Sequence, residues 1–457
     1  MNPFNTMIRQ LGWFVLLLLP FLEIANACHT PKRAAILGKQ YPDWNFVDMM
    51  HKAHNQQEYK GYQFKKVQTC QNGMADIFPC NNVDLMGHLD LSQIGGGQGT
   101  DSWGWKDENS GRYFALVGRS NGTSFVEVTD PTNPVYLGNL PSESNISTPW
   151  RDIKTFQNHA FIVADNLAQH GMQVFDLSRL LDVLNPPVTF TVDELYKGGN
   201  FEDAHNIIIN EETGFAYLVG GATCSGGLHM VNIKTPTAPS FVGCYADDGY
   251  IHDAQCVVYT GPDKEHTDKE ICFTSNEDSV NVIDVSQKNA PVELSKKDYA
   301  GHRYTHQGWL TEDQTYFLID DELDEIISGT NTRTHVMNML DLDDPVYKGF
   351  HEGNGAATDH NQYIVEDYTF QANYTMGLRI LHLGDLEQAT MQEVAFFDTY
   401  PAGDFSASFA GAWNVYPFFD NGLVLVSDVN RGIFILEPHL TPPPNPDIIF
   451  KNDFEQL

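Results

Sequence analysis

Four histidines recur at nearly constant spacing in the middle of the chain. They are separated by 47, 54 and 54 residues: His205, His252, His306 and His360. Three aspartates lie beside or close to them: Asp203, Asp253 and Asp359. Neutral imidazoles with neighbouring carboxylates suit a divalent transition metal such as Zn, Fe, Mn or Cu, and a carboxylate beside a ligand histidine fixes its tautomer. These seven residues are therefore candidate metal ligands.

The same pattern also has a purely structural interpretation. The spacing continues into three tryptophans, which cannot ligate a metal: Trp103, Trp150 and Trp413. Buried His or Trp side chains that hydrogen-bond to a neighbouring repeat would hold the repeats together without any ligand. Both interpretations require equivalent positions of the repeats to converge.

A second candidate for cation binding is the acidic stretch IDDELDE at 319–325. Its carboxylates are oxygen ligands of the kind that calcium prefers: Asp320, Asp321, Glu322, Asp324 and Glu325. The stretch has neither the spacing nor the central glycine of an EF-hand loop. The alternative is an acidic turn that is solvated or that links two repeats.

The candidate residues belong to a repeat that occurs seven times with a period of 47 to 55 residues. In the copy at 203–245, the segments AHNIIIN, FAYLVGG, GLHMVNI and APSFVGCY have the composition of four strands separated by polar turns. This period predicts an all-β fold, a single seven-bladed β-propeller of four-stranded blades. In such a ring the four histidines would face a common axis.

The ring is expected to close through an N-terminal strand. The last repeat, 411–437, supplies three strands, and NVDLMGHLDL at 82–91 precedes the first full repeat, so it would complete the last blade and remove an open edge. The propeller is predicted to span 82–440. Residues 28–81 are expected to form a partly helical N-terminal extension with a short disulfide loop, and 441–457 a Pro-rich C-terminal tail.

The first residues have the organisation of an export signal. Arg9 precedes an apolar core at 11–22, and Ala25-Asn26-Ala27 is a small-x-small cleavage site, which predicts a signal peptide at 1–27. We expect an exported protein that is extracellular or at the cell surface. Cys28 would become the first mature residue, and a lipid attached to it would instead give a periplasmic or outer-membrane lipoprotein.

The other six cysteines are expected to form three disulfides, because export makes oxidation favourable. Proximity in the sequence favours three pairs: Cys70 with Cys80, Cys224 with Cys244, and Cys256 with Cys272. Closing such a loop contributes about 3 kcal/mol in the chain-entropy model.

The charge and hydropathy of the chain exclude two classes of partner. A formal net charge of −33 repels nucleic acid and anionic membranes. No segment after the leader approaches 18 consecutive apolar residues, so no transmembrane segment is expected.

Four long motifs resemble the choice-of-anchor B proteins, exported bacterial proteins built from LVIVD-type propeller repeats, some of them called regulatory P domain-containing proteins. The motifs are DAHNIIINEETGFAYLVGG, HDAQCVVYTGPDKEHTDKEICFTSNED, YTHQGWLTEDQTYFLIDDELDE and TDHNQYIVEDYTFQANYTMGLRIL. The resemblance covers about residues 68–440 and implies a propeller and export, but no particular reaction. The chain departs from the family in its tail, which has no Gly-Gly or Pro-Glu-Pro sorting signal, so attachment through the tail is not expected.

Two functions follow from these observations. The first is a binding or scaffold propeller that presents its loops to a protein or a glycan, which the absence of a G-x-S-x-G nucleophile motif from the sequence favours. The second is a metal-dependent enzyme, such as a hydrolase or a lactonase, with the metal held on the axis by the histidines and aspartates.

Overall fold

The structure, a computed structural model, describes residues 62–441 except 144–146, 168, 403 and 404, together with residues 49, 52 and 53. The expected signal peptide and Cys28 lie outside the described residues. So do most of the N-terminal extension before residue 62 and the tail after residue 441.

Seven sheets form the blades of a β-propeller, which confirms the fold expected from the repeat. All pairings within the four-stranded blades are antiparallel, and one short added strand, Val188–Thr189, pairs parallel with the outer strand of blade 1. From the innermost to the outermost strand, the first three blades are blade 1, Gly99–Asp107, Arg112–Arg119, Gly122–Glu127 and Val135–Pro141; blade 2, Arg151–Phe156, His159–Ala164, Met172–Asp176 and Glu194–Tyr196; and blade 3, Asn206–Asn210, Phe215–Val219, His229–Asn232 and Ser240–Cys244. The next three are blade 4, Asp253–Val258, Glu270–Ser275, Val280–Asp284 and Val292–Lys297; blade 5, Thr305–Leu310, Tyr316–Asp321, Arg333–Asn338 and Val346–Glu352; and blade 6, Asn361–Val365, Tyr368–Ala372, Leu378–Leu383 and Met391–Phe397. Blade 7 consists of Ala412–Tyr416, Val424–Asp428, Gly432–Pro438 and Val83–Leu89.

The N-terminal strand closes the ring, as the strand count predicts. Val83–Leu89 pairs antiparallel with Gly432–Pro438, so the last blade combines both ends of the described chain. Two further strands extend blade 6: Phe78–Asn81 pairs with its outer strand, and Met74–Ala75 pairs with Phe78–Asn81. Part of the region expected to be a separate extension therefore belongs to the propeller sheets.

The hairpins follow from the local sequence. In blade 3 the β-branched run Ile207, Ile208 and Ile209 favours an extended strand, which ends at the turn before Gly214. Gly214 has φ of 68°, a conformation that costs glycine little, and its N–H donates to the carbonyl of Asn210 at 2.9 Å. This turn fixes the register of the innermost strand against the second strand.

The hydrophobic core lies between neighbouring blades. Between blades 4 and 5, for example, the buried side chains are Ile271, Phe273, Val282, Phe317, Ile319 and Met337. The outermost strands are more exposed, as Val292 and Val346 illustrate. Because each blade is packed on both faces, its innermost strand is held in a fixed position at the axis.

Short helical segments join some of the strands. Asp324–Ser328 is an α-helix after the second strand of blade 5. Single turns of 3₁₀-helix occur at Leu91–Gln93, Leu177–Leu180, Gly198–Asn200, Cys224–Gly226 and Leu386–Gln388. Residues 49, 52 and 53 are helical, and Ala53 packs against the propeller, where its carbonyl accepts a hydrogen bond from the Asn430 side chain at 3.1 Å.

The three disulfides join the expected pairs: Cys70–Cys80, Cys224–Cys244 and Cys256–Cys272. Three disulfides indicate that the protein folds in an oxidising, extracytoplasmic compartment. Within the described part of the chain, no helix has the length and apolar character needed to cross a membrane.

Candidate functional site

The structure brings the four predicted histidines together at the axis. They lie at or just before the start of the innermost strands of blades 3 to 6, and each is at least 96% buried: His205, His252, His306 and His360. Neighbouring ring centroids are 4.5, 4.0 and 4.4 Å apart in that order. Trp413 continues the arc at 4.7 Å from His360. We call the four histidines the histidine ring.

Hydrogen bonds to backbone carbonyls orient two of these rings. His252 Nδ1 lies 2.8 Å from the carbonyl of His306, and His360 Nδ1 lies 2.5 Å from the carbonyl of Trp413. A carbonyl can only accept, so Nδ1 carries the hydrogen and the lone pair is on Nε2. His205 differs, because its Nδ1 lies 3.0 Å from a carboxylate oxygen of Asp165. Each contact joins neighbouring blades and also fixes a tautomer, so both sequence interpretations of the ring have a geometric basis.

Glu322 is a second carboxylate that approaches the histidine ring. Its two oxygens lie 3.8 Å from Nε2 of His306 and 3.8 Å from Nε2 of His360. Tyr374 donates a hydrogen bond to Glu322 at 2.9 Å and fixes its position. One ligand atom from each of His306, His360 and Glu322 lies within 4.8 Å of the others, and this donor set could hold a metal ion.

Burial favours the neutral form of two of the rings, those of His306 and His360. It lowers the pKa of His306 well below the usual value, and the neighbouring His252 and His360 lower it further. Burial likewise lowers the pKa of His360 to about 3, although its bond to the Trp413 carbonyl opposes the shift. Neutral imidazoles are the form that binds metals.

Arg151, on the innermost strand of blade 2, places a positive charge close to the histidine ring. A cavity of about 10 Å³ lies against the histidine ring and is also lined by Arg151, Trp150 and Asp101. Arg151 donates to the carbonyl of Arg119 at 3.1 Å, and its guanidinium is 3.2 Å from His170. A metal ion would therefore be held on the side away from this cation, between His306 and His360.

None of the three predicted aspartates lines this cavity or belongs to the donor set around Glu322. Asp253 faces a different pocket, because successive side chains of a strand point to opposite sides. Asp359 accepts the N–H of Arg333 at 3.2 Å and groups with two other acids. Asp203 lies near Asp165, and burial followed by that charge raises its pKa to about 6.

A large pocket lies further along the same innermost strands. Its volume is about 620 Å³, and its aromatic lining consists of Trp103, Trp309, Tyr363, Tyr416 and Phe418. The rings pack edge to face, as in Trp309 with Tyr363 at 4.9 Å and Trp103 with Tyr416 at 5.0 Å. We call this the axial pocket. It places Trp103 away from the histidine ring, so the predicted equivalence of Trp103 with the histidines is wrong.

The polar part of the axial pocket contains a buried ammonium group among carboxylates. Lys154 Nζ lies 2.6 Å from Asp152 and 4.5 Å from the centroid of the Trp103 ring. Burial acts to lower the pKa of Lys154, but the carboxylates of Asp152, Asp101 and Asp253 outweigh it and raise this pKa. Burial raises the pKa of Asp253 to about 7, and Lys154 opposes the shift.

The sequence contained a signal for this pocket. Three of its aromatic residues stand three positions after a residue of the axial arc: Trp309 after His306, Tyr363 after His360, and Tyr416 after Trp413. Glu322 had a weaker signal, since it lies in the acidic stretch but nothing in its spacing indicates an approach to the histidines.

No protein-family model matches the chain, and no curated protein does. Solved structures share its fold. Hydrazine synthase of Kuenenia stuttgartiensis matches with a TM-score of 0.50 and 10% identity, covering 72% of this chain and 93% of that one. A putative 6-phosphogluconolactonase from Bacteroides uniformis matches with a TM-score of 0.48 and 11% identity over 64% and 84% of the two chains. The computationally designed protein Ika8 matches with a TM-score of 0.45 and 9% identity over 81% and 99%. At 10% identity the likeness to hydrazine synthase shows the fold alone.

Proposed function

We propose that the protein is an exported member of the choice-of-anchor B proteins that binds a carbohydrate outside the cell or at its surface. The observation that carries this proposal is the axial pocket, which has aromatic walls and a charged polar group at Lys154. Its volume of about 620 Å³ lies within the range of small-molecule sites and exceeds what one monosaccharide needs.

The chemistry of the lining favours a neutral sugar over other ligands. Aromatic faces such as those of Trp309 and Trp103 pack against the C–H faces of a pyranose, and charged groups such as Lys154 and Asp253 hydrogen-bond to its hydroxyls. Glu211 and Glu212 also line the pocket, and with a net charge of −33 they disfavour polyanions. A concave site of this size suits a glycan better than the flat surface of a folded protein.

The test is an oligosaccharide array probed with the purified protein, followed by titration of any hit with tryptophan fluorescence as the readout. Trp309→Ala is expected to weaken binding at least about tenfold, because it removes a stacking face. Phe241→Ala, at an exposed aromatic residue on the outermost strand of blade 3, is the matched control and should leave affinity unchanged. Failure of the wild-type protein to bind any neutral glycan, or equal binding by Trp309→Ala, rejects the proposal.

A second function, a metal-dependent hydrolase or lactonase, is favoured by one observation. His306, His360 and Glu322 present two imidazole nitrogens and a carboxylate to a common point. A divalent transition metal bound there would act as a Lewis acid and activate water. The chain's own contribution is orientation: the carbonyl of Trp413 fixes the tautomer of His360, and Tyr374 holds Glu322.

Metal analysis of protein purified without chelators separates this function from a purely structural ring. Stoichiometric metal that is lost in His306→Ala, while the fold is retained, supports the metal centre. Protein without metal, in which the same substitution lowers the Tm, supports a ring that only locks the blades. Mass spectrometry of the mature N-terminus decides between a free and a lipid-bearing Cys28.

A further inference from the structure

The acidic stretch at 319–325 is buried, which rules out a solvated turn. Its carboxylates and that of Asp359 are each at least 98% buried: Asp320, Asp321, Glu322, Asp324, Glu325 and Asp359. The stretch ends the second strand of blade 5 and begins the helix Asp324–Ser328. So many carboxylates cannot be buried together in their charged form without donors or cations to stabilise them.

Hydrogen bonds from the protein stabilise Asp321, Asp320 and Glu322. Asp321 accepts the N–H groups of Arg303 at 2.6 Å and Tyr304 at 2.7 Å. Asp320 accepts from the amide of Gln362 at 2.8 Å, and Glu322 accepts from Tyr374 as described above. These bonds explain why three of the six acids tolerate burial.

Of the remaining three acids, only Asp359 has such a partner, because its Oδ2 accepts the N–H of Arg333 at 3.2 Å. Among the described residues, neither carboxylate oxygen of Asp324 or of Glu325 has a hydrogen-bond donor, and Oδ1 of Asp359 has none either. One oxygen from each of the three lies within 4.8 Å of the others. Three buried carboxylate oxygens, one from each acid, therefore lie close enough together to share one cation.

The positive groups nearby are too few and too distant. Arg333 Nη1 lies 3.9 Å from Asp324, beyond hydrogen-bond distance, and His335 Nε2 lies 3.8 Å from the same carboxylate. The other nitrogen of His335 is 2.8 Å from the hydroxyl of Tyr347. One guanidinium beside three carboxylates leaves the group with net negative charge.

We propose that Asp324, Glu325 and Asp359 bind a calcium ion. All donors are oxygens, which selects a hard cation, and calcium accepts irregular sets of six to eight oxygens with bidentate carboxylates, whereas magnesium demands octahedral geometry and retains water. The positive charge of the ion neutralises the three buried carboxylates, which the nearby protein groups do not. This site is separate from the axial pocket and does not depend on the proposed carbohydrate ligand.

The ion also links two parts of the histidine ring's surroundings. Glu322 lies two residues before Asp324, and His360 directly follows Asp359. Calcium therefore joins the loop that carries Glu322, on blade 5, to the segment that carries His360, on blade 6. The expected consequence is a calcium-dependent increase in the stability of the propeller.

The test uses the exported full chain, stripped with a chelator and dialysed into metal-free buffer. Titration with calcium chloride by calorimetry should give one site per chain, and saturating calcium should raise the Tm by roughly 5 °C. The double variant Asp324→Asn/Glu325→Gln should lose both effects. Asp343→Asn, which alters an exposed acid in a separate Asp–His group, is the matched control and should retain both.

Three results would overturn the proposal: a stripped wild-type protein that binds no calcium, calcium binding that persists in the double variant, or displacement of calcium by equimolar magnesium. The first would mean that protons neutralise the group, since burial raises the pKa values of Glu325 and Asp359 well above their usual range. If the double variant does not fold, the wild-type titration and the competition with magnesium decide by themselves.

Discussion

The histidine ring and the axial pocket lie on the same innermost strands, yet one is closed and the other open. At the ring, neighbouring imidazoles are 4.0 to 4.5 Å apart and leave a cavity of about 10 Å³. Three residues further along, roughly 10 Å on a strand, aromatic side chains surround a pocket of about 620 Å³. The ring can accommodate one water-sized species, whereas the pocket can accommodate a ligand of many atoms.

The two regions also respond to burial in opposite ways. Burial lowers the pKa values of His306 and His360, so the ring resists protonation. Burial raises the pKa of Asp253 to about 7, so the axial pocket attracts a proton. Acidification should therefore lower the contribution of the ring to the free energy of unfolding and raise that of the pocket. The comparison teaches that burial favours the neutral form in both regions, and that their stabilities therefore respond to pH in opposite directions.

The largest expected effect is at the ring. The pKa of His360 is about 3 in the folded protein and about 6.5 when unfolded, so its stabilising contribution is complete above pH 6.5 and is lost as the pH falls toward 3. Between pH 7 and pH 4 this residue alone should cost about 3 kcal/mol of the free energy of unfolding. Urea unfolding of His360→Asn, with a chelator present so that no metal competes with protons, should show that much less acid destabilisation than wild type.

The control for His360 is His439→Asn, at a side chain with 54% exposure. That variant should have the pH dependence of the wild-type protein. Equal acid destabilisation in His360→Asn and wild type would mean that the ring can be protonated without cost, and the contrast between the two regions would disappear.

The fold was predictable because it depends on a repeated pattern. Strand composition and a period near 50 residues determine the blades, and a last repeat with three strands requires a closing strand such as Val83–Leu89. The disulfides were also predictable, since each joins cysteines no more than 20 residues apart. These features depend on local sequence and on the number of strands in each repeat.

The site was predictable only in part, because side-chain direction depends on register. The histidines share one position of the repeat and therefore converge. Asp253 directly follows His252, but its side chain points away from the histidine ring into the axial pocket. Adjacency in the sequence therefore did not predict proximity to the ring. Blades 5 and 7 have a bulge at His306 and at Trp413, and the corresponding bulge of blade 1 lies between Gly99 and Ser102. Trp103 comes after that bulge, so it lies with the aromatic residues of the pocket rather than with the ring.

A second prediction concerns the buried cation of the axial pocket. Lys154→Met removes the positive charge that pairs with Asp152 and opposes the charges of Asp101 and Asp253. We expect a loss of about 2 to 3 kcal/mol in the free energy of unfolding at pH 8, because the carboxylates are left uncompensated. At pH 5 the loss should be smaller, because burial raises the pKa values of Asp101 and Asp253 and these two carboxyls then take up protons. Unfolding in urea at the two pH values measures both quantities.

Lys106→Met is the matched control, because Lys106 pairs with Asp420 and Glu108 at the protein surface. It should change stability little at either pH, as exposed ion pairs usually do. A Lys154→Met variant as stable as wild type at pH 8 would show that the carboxylates around it are already protonated.

The smallest expected effect comes from Asp253, and its sign is opposite to that of His360. Its folded pKa of about 7 lies above the unfolded value of about 3.9, so the folded protein binds the additional proton and its stability decreases as the pH rises from 4 to 7. Asp253→Asn removes this dependence and keeps the oxygen that accepts the N–H of Ala254 at 2.7 Å. Because Asp253 is partly exposed, and because Lys154 loses a partner, we expect the variant to be more stable than wild type at pH 8 by only about 1 kcal/mol and equal to it at pH 4.

Thermal unfolding across this range measures the difference, with Glu265→Gln at the surface as the control. A variant less stable than wild type at pH 8 would mean that the attraction between Asp253 and Lys154 exceeds the cost of burying the carboxylate, and that the pocket, like the ring, is most stable with its groups in their usual charge states.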